Sequence, residues 1–75
     1  MATLREERLQ RHLTLEQLAE LALMDKSSIS LIERGLRIPT QRTRRDLAEA
    51  LGVAVETIEW PEAGEQNERE DDDTQ

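Results

Sequence analysis

The sequence predicts a small all-α domain built from five short helices. Apolar residues recur at helical spacing between sparse breakers, since the 75 residues include only three glycines and two prolines. No segment alternates β-branched and polar residues between turn residues, so no strand is predicted. A chain of this length is expected to form at most one domain with a modest core.

Helix-capping residues predict where the first two helices begin. Thr3 followed by Glu6 forms a capping-box pattern, and Thr14 followed by Gln17 repeats it. The helices begun in this way are predicted over residues 4–11 and 15–22. His12 follows the first helix and Leu23 the second.

The other three helices are predicted from the same kinds of signal. Asp25 is a predicted N-cap and Gly35 a predicted left-handed C-cap for the third helix, and Thr40 and Gly52 enclose the fourth. The third, fourth and fifth helices are predicted over residues 26–34, 41–51 and 55–60. The fifth ends at Pro61 and lacks a capping side chain. The inward faces of helices two to four are predicted to be Leu18, Ala19, Ala22, Ile29, Ile32, Leu47, Ala48 and Leu51.

Charge is segregated along the chain. The net charge of −7 divides into +3 over residues 1–45 and −10 over residues 46–75. From residue 62 onward there is no apolar periodicity, so we expect a domain over 1–61 and a disordered acidic tail over 62–75. Three roles for this tail stay open: a solubilising end, a competitor for the basic front of the chain, or a ligand for a basic partner.

The residue types present exclude several classes of function. There is no cysteine and only one histidine, which argues against a metal site, and no nucleophile–base pair or phosphate-binding loop suggests an enzyme or a cofactor. No small-molecule ligand is evident. No apolar run approaches the roughly 18 residues that a membrane span requires. We therefore expect a non-enzymatic, cytoplasmic protein.

The third predicted helix has two contrasting faces. Ile29 and Ile32 point inward together, while Lys26 lies in the first turn. The outward face contains Ser27, Ser30, Leu31 and Arg34. Short serines allow the backbone to approach a ligand closely, and a lysine reaches a guanine edge or a phosphate. Such a helix suits the major groove of double-stranded DNA.

The stretches LTLEQLAELALMDKSSISLIERGLRIP and LAEALGV resemble the Xre-like (Cro/C1-repressor type) helix-turn-helix domain, over residues 4–58. The resemblance implies a lambda-repressor-like fold that binds DNA. It implies base reading by Lys26, Ser27 and Leu31, to which the outward face adds Ser30. It implies phosphate contacts by Ser28, Arg34, Arg37 and Arg42, and a structural pair between Arg8 and Glu33. Leu15 departs from the family pattern, because a polar residue usually begins the second helix.

These observations predict a transcriptional regulator that acts as a repressor and binds a palindromic operator as a homodimer. The homodimer forms either in solution or only on DNA.

Trp60, the one aromatic residue, has two interpretations. It closes the core, or together with Ile58 it forms a dimer contact. The alternative function is a protein-interaction module on the same fold, antitoxin-like or an adaptor, which the negative net charge and the apolar Leu15 and Leu31 favour.

Overall fold

The computed structural model describes residues 1–62. Apart from Glu62, the predicted acidic tail therefore lies outside the described residues. The described elements are β1 (Ala2–Thr3), α1 (Leu4–Gln10), α2 (Leu15–Ala22), α3 (Lys26–Glu33), α4 (Gln41–Leu51), a 3-10 turn (Val55–Thr57) and β2 (Ile58–Glu59). Of the helices in this part of the chain, none has the length and apolar character needed to span a bilayer.

Side-chain caps begin all of the α-helices in residues 1–62, as the sequence predicts. The side chains of Thr3, Thr14, Asp25 and Thr40 each accept a hydrogen bond from the backbone N–H three residues later. Both predicted capping boxes form, because the side chains of Glu6 and Gln17 also accept from the cap backbone. These bonds satisfy N–H groups that have no partner within the helix.

The same α-helices all end with a left-handed residue. The residues with positive φ are His12, Leu23, Gly35 and Gly52. In each case the next residue donates its N–H to a carbonyl five positions earlier, as Met24 does to Ala19 at 2.9 Å. This is the Schellman motif, which satisfies the last carbonyls of a helix. Two of these positions are therefore occupied by residues with a side chain, where glycine would fit without strain.

Leu23 is a left-handed helix end whose strain can be tested by substitution. Its φ is 60° and its side chain is 92% exposed, so it gains almost nothing from burial. A left-handed conformation costs a non-glycine residue about 1–2 kcal/mol. Replacement by glycine removes this cost, but it also increases the entropy of the unfolded chain, which offsets part of the gain in stability. We expect Leu23→Gly to stabilise the protein by about 0.5–1 kcal/mol, measured by urea unfolding.

Leu21→Gly is the matched control for this change, because Leu21 is also exposed but lies inside α2. There glycine is expected to destabilise the protein by roughly 0.5–1 kcal/mol. A lower midpoint for Leu23→Gly than for the unchanged protein would contradict the prediction.

The predicted fifth helix, Val55–Trp60, is wrong. Val55–Thr57 form a single 3-10 turn without a side-chain cap, and β2 follows it. β2 pairs in parallel with β1, placing Ala2 opposite Ile58 and Thr3 opposite Glu59. The strand pair was not predicted. An extended backbone directs Ile58 and Trp60, two positions apart, to the same side, and both side chains are buried.

The core lies between the helices and β2. Its buried residues are Leu4, Leu18, Ala19, Ala22, Ile29, Ile32, Leu47, Ala48, Leu51, Ile58 and Trp60. All of the predicted inward faces of α2, α3 and α4 are among them. Trp60 lies at the edge of this core, where its Nε1 donates to the carbonyl of Val55 at 3.0 Å. The guanidinium of Arg44 lies 5.9 Å from the centre of its ring, a cation–π distance.

Candidate nucleic-acid interface

The third helix, α3, is held in place by its buried face. Ile29 is fully buried and Ile32 is 2% exposed, while Lys26 and Ser27 are exposed at the first turn. Farther along, the outward-facing Ser30 and Leu31 are half-buried. We call the exposed surface of Lys26, Ser27, Ser30, Leu31, Arg34, Arg37 and Arg42 the α3–α4 surface.

Lys26 has a carboxylate neighbour that the sequence did not predict. Its Nζ lies 3.5 Å from Oε2 of Glu16, in the first turn of α2. The two side chains are 55% and 76% exposed, so water screens their attraction strongly. Lys26 can therefore leave Glu16 for another hydrogen-bond acceptor at little cost. Glu16 lies ten residues before Lys26, a separation with no helical meaning, so the pair was not visible in the sequence.

Ser28 links Asp25 to Arg37 in a hydrogen-bond network at the start of α3. Asp25 accepts from the Ser28 N–H at 3.0 Å and from the Ser28 hydroxyl at 3.1 Å. Arg37 Nη1 in turn donates to Ser28 Oγ at 2.7 Å. The Ser28 N–H, then its hydroxyl, and also the charge of Arg37 lower the pKa of the Asp25 carboxyl below its ordinary value of 3.8. Asp25 is thus a stable anion beside Arg37.

Arg34 directly follows α3, and Arg42 is the second residue of α4. Arg34 is exposed, and its Nε donates to the Ser30 carbonyl at 3.4 Å, a long bond. Arg42 is exposed in the first turn of α4 and lines a groove between the end of α2 and α4, together with Asp46 and Glu49. Within residues 1–62, Arg34, Arg37 and Arg42 form no salt bridge. Of these three arginines, Arg37 is the one whose charge acts on the pKa of Asp25.

The pair implied by the resemblance, Arg8 with Glu33, is present and buried. Arg8 donates from Nε to Oε2 of Glu33 at 2.7 Å and from Nη2 to Oε1 at 3.0 Å, and from Nη1 to the Leu13 carbonyl at 2.8 Å. The side chains are 9% and 6% exposed. The hydrogen bonds to Glu33 raise the pKa of Arg8, so the guanidinium stays charged despite its burial. The pair fixes the end of α3 against α1.

Two further interactions of charged residues were missed. Glu7 is buried and accepts a hydrogen bond from Arg11 Nη1 at 2.6 Å. The spacing of four residues is the signal that predicts such a pair. Arg44 packs on Trp60 across the fold, a contact that no local spacing indicates. Residues 1–62 hold no group of three or more metal-ligand side chains.

The two residues considered for a dimer contact lie elsewhere. Ile58 is 2% exposed and Trp60 8% exposed, and both belong to the core on the side of β2. Little of either side chain is accessible to a partner. Trp60 therefore closes the core, which is the first of the two interpretations given for it. Neither Ile58 nor Trp60 lies on the α3–α4 surface.

One comparison with known proteins identifies a family. The model of a helix-turn-helix family matches residues 4–58, which contain α1 to α4 and the first residue of β2. Neither a curated protein nor a solved structure gives a significant match. The family match covers well over half of the chain. The chain therefore belongs to the Xre (Cro/C1-repressor) type of helix-turn-helix family, whose members are DNA-binding transcription regulators.

Proposed function

We propose that this protein binds double-stranded DNA sequence-specifically, with α3 in the major groove, and represses transcription from its operator. One observation carries the proposal. An anchored helix exposes Lys26 and Ser27, and Arg37, which donates to the neighbouring Ser28, has no ion pair within residues 1–62. This combination separates base reading from backbone binding, as sequence-specific DNA-binding proteins do.

Base reading is assigned to the outward face of α3. Lys26 donates to the O6 and N7 acceptors of guanine, and the hydroxyls of Ser27 and Ser30 bind polar base edges. Leu31 is half-buried and offers an apolar surface to the methyl group of thymine. Arg34, Arg37 and Arg42 bind phosphates, which sets the position of the helix but carries no sequence information.

The protein acts as a homodimer on a palindromic operator. One recognition helix reads only about half of a typical operator, whose half-sites lie about 34–36 Å apart. The described residues extend 31 Å along their longest axis, which is similar to this spacing. Since Ile58 and Trp60 are buried, the dimer forms through other residues or only on DNA.

A salt series on the full chain tests DNA binding directly. We expect the logarithm of the affinity for a labelled duplex, measured by fluorescence anisotropy, to fall linearly with the logarithm of salt concentration. Arg42→Ala should weaken binding to all duplexes alike and reduce the slope by about one, because one phosphate contact is lost.

Arg5→Ala is the control with the same change of charge, since Arg5 is exposed on α1 and outside the α3–α4 surface. Its slope should stay that of the unchanged protein. Absence of duplex binding at low salt would contradict the proposed function, and equal slopes for Arg42→Ala and Arg5→Ala would contradict the phosphate contact of Arg42.

A further inference from the structure

We propose that Asp25 and Ser28 are positioning residues that hold Arg37 ready for a DNA phosphate, and that Ser28 does not contact the phosphate itself. This inference rests on the proposed function. It reassigns Ser28, which the resemblance offers as a phosphate ligand, and it gives the N-cap Asp25 a second role beyond starting α3.

The hydrogen bonds that Ser28 already makes argue against a direct contact between Ser28 and a phosphate. A serine hydroxyl has one proton to donate and lone pairs that accept. The Ser28 proton is directed to Asp25 Oδ1 at 3.1 Å, and Oγ accepts from Arg37 Nη1 at 2.7 Å. A phosphate oxygen only accepts hydrogen bonds, so Ser28 would have to leave Asp25 to bind one. Arg37, by contrast, has further N–H groups to donate while it stays on Ser28.

The attachment of Asp25 and Ser28 to the backbone of α3 lets them hold Arg37 in place. Asp25 is fixed because it caps α3 through the Ser28 N–H at 3.0 Å. The anion in turn polarises the Ser28 hydroxyl, which makes its oxygen a better acceptor for the guanidinium. Arg37 lies on the loop between α3 and α4 and is exposed, so it would otherwise sample many rotamers. Holding it in advance reduces the entropy lost on binding.

A double-mutant cycle on the full chain distinguishes positioning from direct contact. We expect Ser28→Ala to weaken duplex binding about three- to tenfold, because the guanidinium loses one charged hydrogen bond that fixes it. In the Arg37→Ala background the same change should have no further effect, because Ser28 acts only through Arg37. Ser28→Thr keeps a hydroxyl and should restore most of the affinity. Additive losses, or no loss from Ser28→Ala alone, would overturn the proposal.

A second readout needs no DNA. The Nε–Hε order parameter of Arg37, measured by NMR relaxation, should fall in Ser28→Ala and in Asp25→Asn. Asparagine is a good N-cap, so the second variant removes the charge while keeping α3 capped. Equal order parameters in all three proteins would overturn the proposal. If the unchanged protein binds duplex but the cycle is additive, only this inference fails. If it binds no duplex, the proposed function fails, and the phosphate role of Arg37 with it.

Discussion

Replacing Arg8 with methionine is expected to remove a large part of the stability of this fold, lowering the free energy of unfolding by about 3–5 kcal/mol. The change leaves the carboxylate of Glu33, 6% exposed, without the cation that compensates its burial. It also leaves the Leu13 carbonyl without its donor. A small domain has about 5–15 kcal/mol of stability in total, so the loss should be evident already at 37 °C.

Urea unfolding followed by circular dichroism measures this loss. Arg5→Met is the control, because Arg5 is exposed on the same helix. The double variant Arg8→Met with Glu33→Leu removes both charges and should recover part of the stability, since a buried ion pair is often replaceable by apolar residues. A loss below about 1 kcal/mol in Arg8→Met would show that the pair does not hold α1 against α3.

Replacing Lys26 with alanine is expected to abolish most of the sequence preference while leaving binding to unrelated duplexes largely intact. Lys26 is the one long donor in the first turn of α3, and its nearby serines are short. A good contact between a side chain and a base edge discriminates by about 1–3 kcal/mol, which is roughly 5- to 150-fold in affinity. The measurement is competition between a preferred duplex and a scrambled duplex of the same length.

Glu16→Gln is a second variant for the same measurement, because it keeps Lys26 and removes the carboxylate that lies 3.5 Å from its Nζ. Binding to both duplexes should then strengthen, since an anion near the DNA phosphates is gone and Lys26 is released. If Lys26→Ala weakens both duplexes by the same factor, Lys26 contacts phosphate and the reading of bases must lie elsewhere on α3.

The helices were predictable where their determinants are local. Thr3, Thr14, Asp25 and Thr40 cap helices through bonds spanning three residues, and such spacings are visible in a sequence. The prediction for the segment after α4 was wrong because the structure of this segment depends on its pairing with β1, more than 50 positions away. A parallel strand pair between the two ends of the described chain leaves no local pattern.

The candidate site was predictable in part for the same reason. The inward Ile29 and Ile32 and the outward Lys26 follow from helical periodicity. The pairing of Arg8 with Glu33 spans 25 residues and was suggested by the family resemblance alone. The contact of Arg37 with Ser28 crosses the end of α3 and depends on how the following loop folds back. Without that geometry, a positioning role of Ser28 could not be distinguished from direct phosphate binding by Ser28.

Selection of bound sequences from a random pool of duplexes tests the central claim most directly. The full chain should enrich a motif with two-fold symmetry whose half-sites lie about one helical turn apart, about 10–10.5 base pairs. Lys26→Ala, carried through the same selection, should lose that motif while still retaining duplex at low salt. Failure of the unchanged protein to enrich any motif across a salt series would contradict sequence-specific DNA binding by α3.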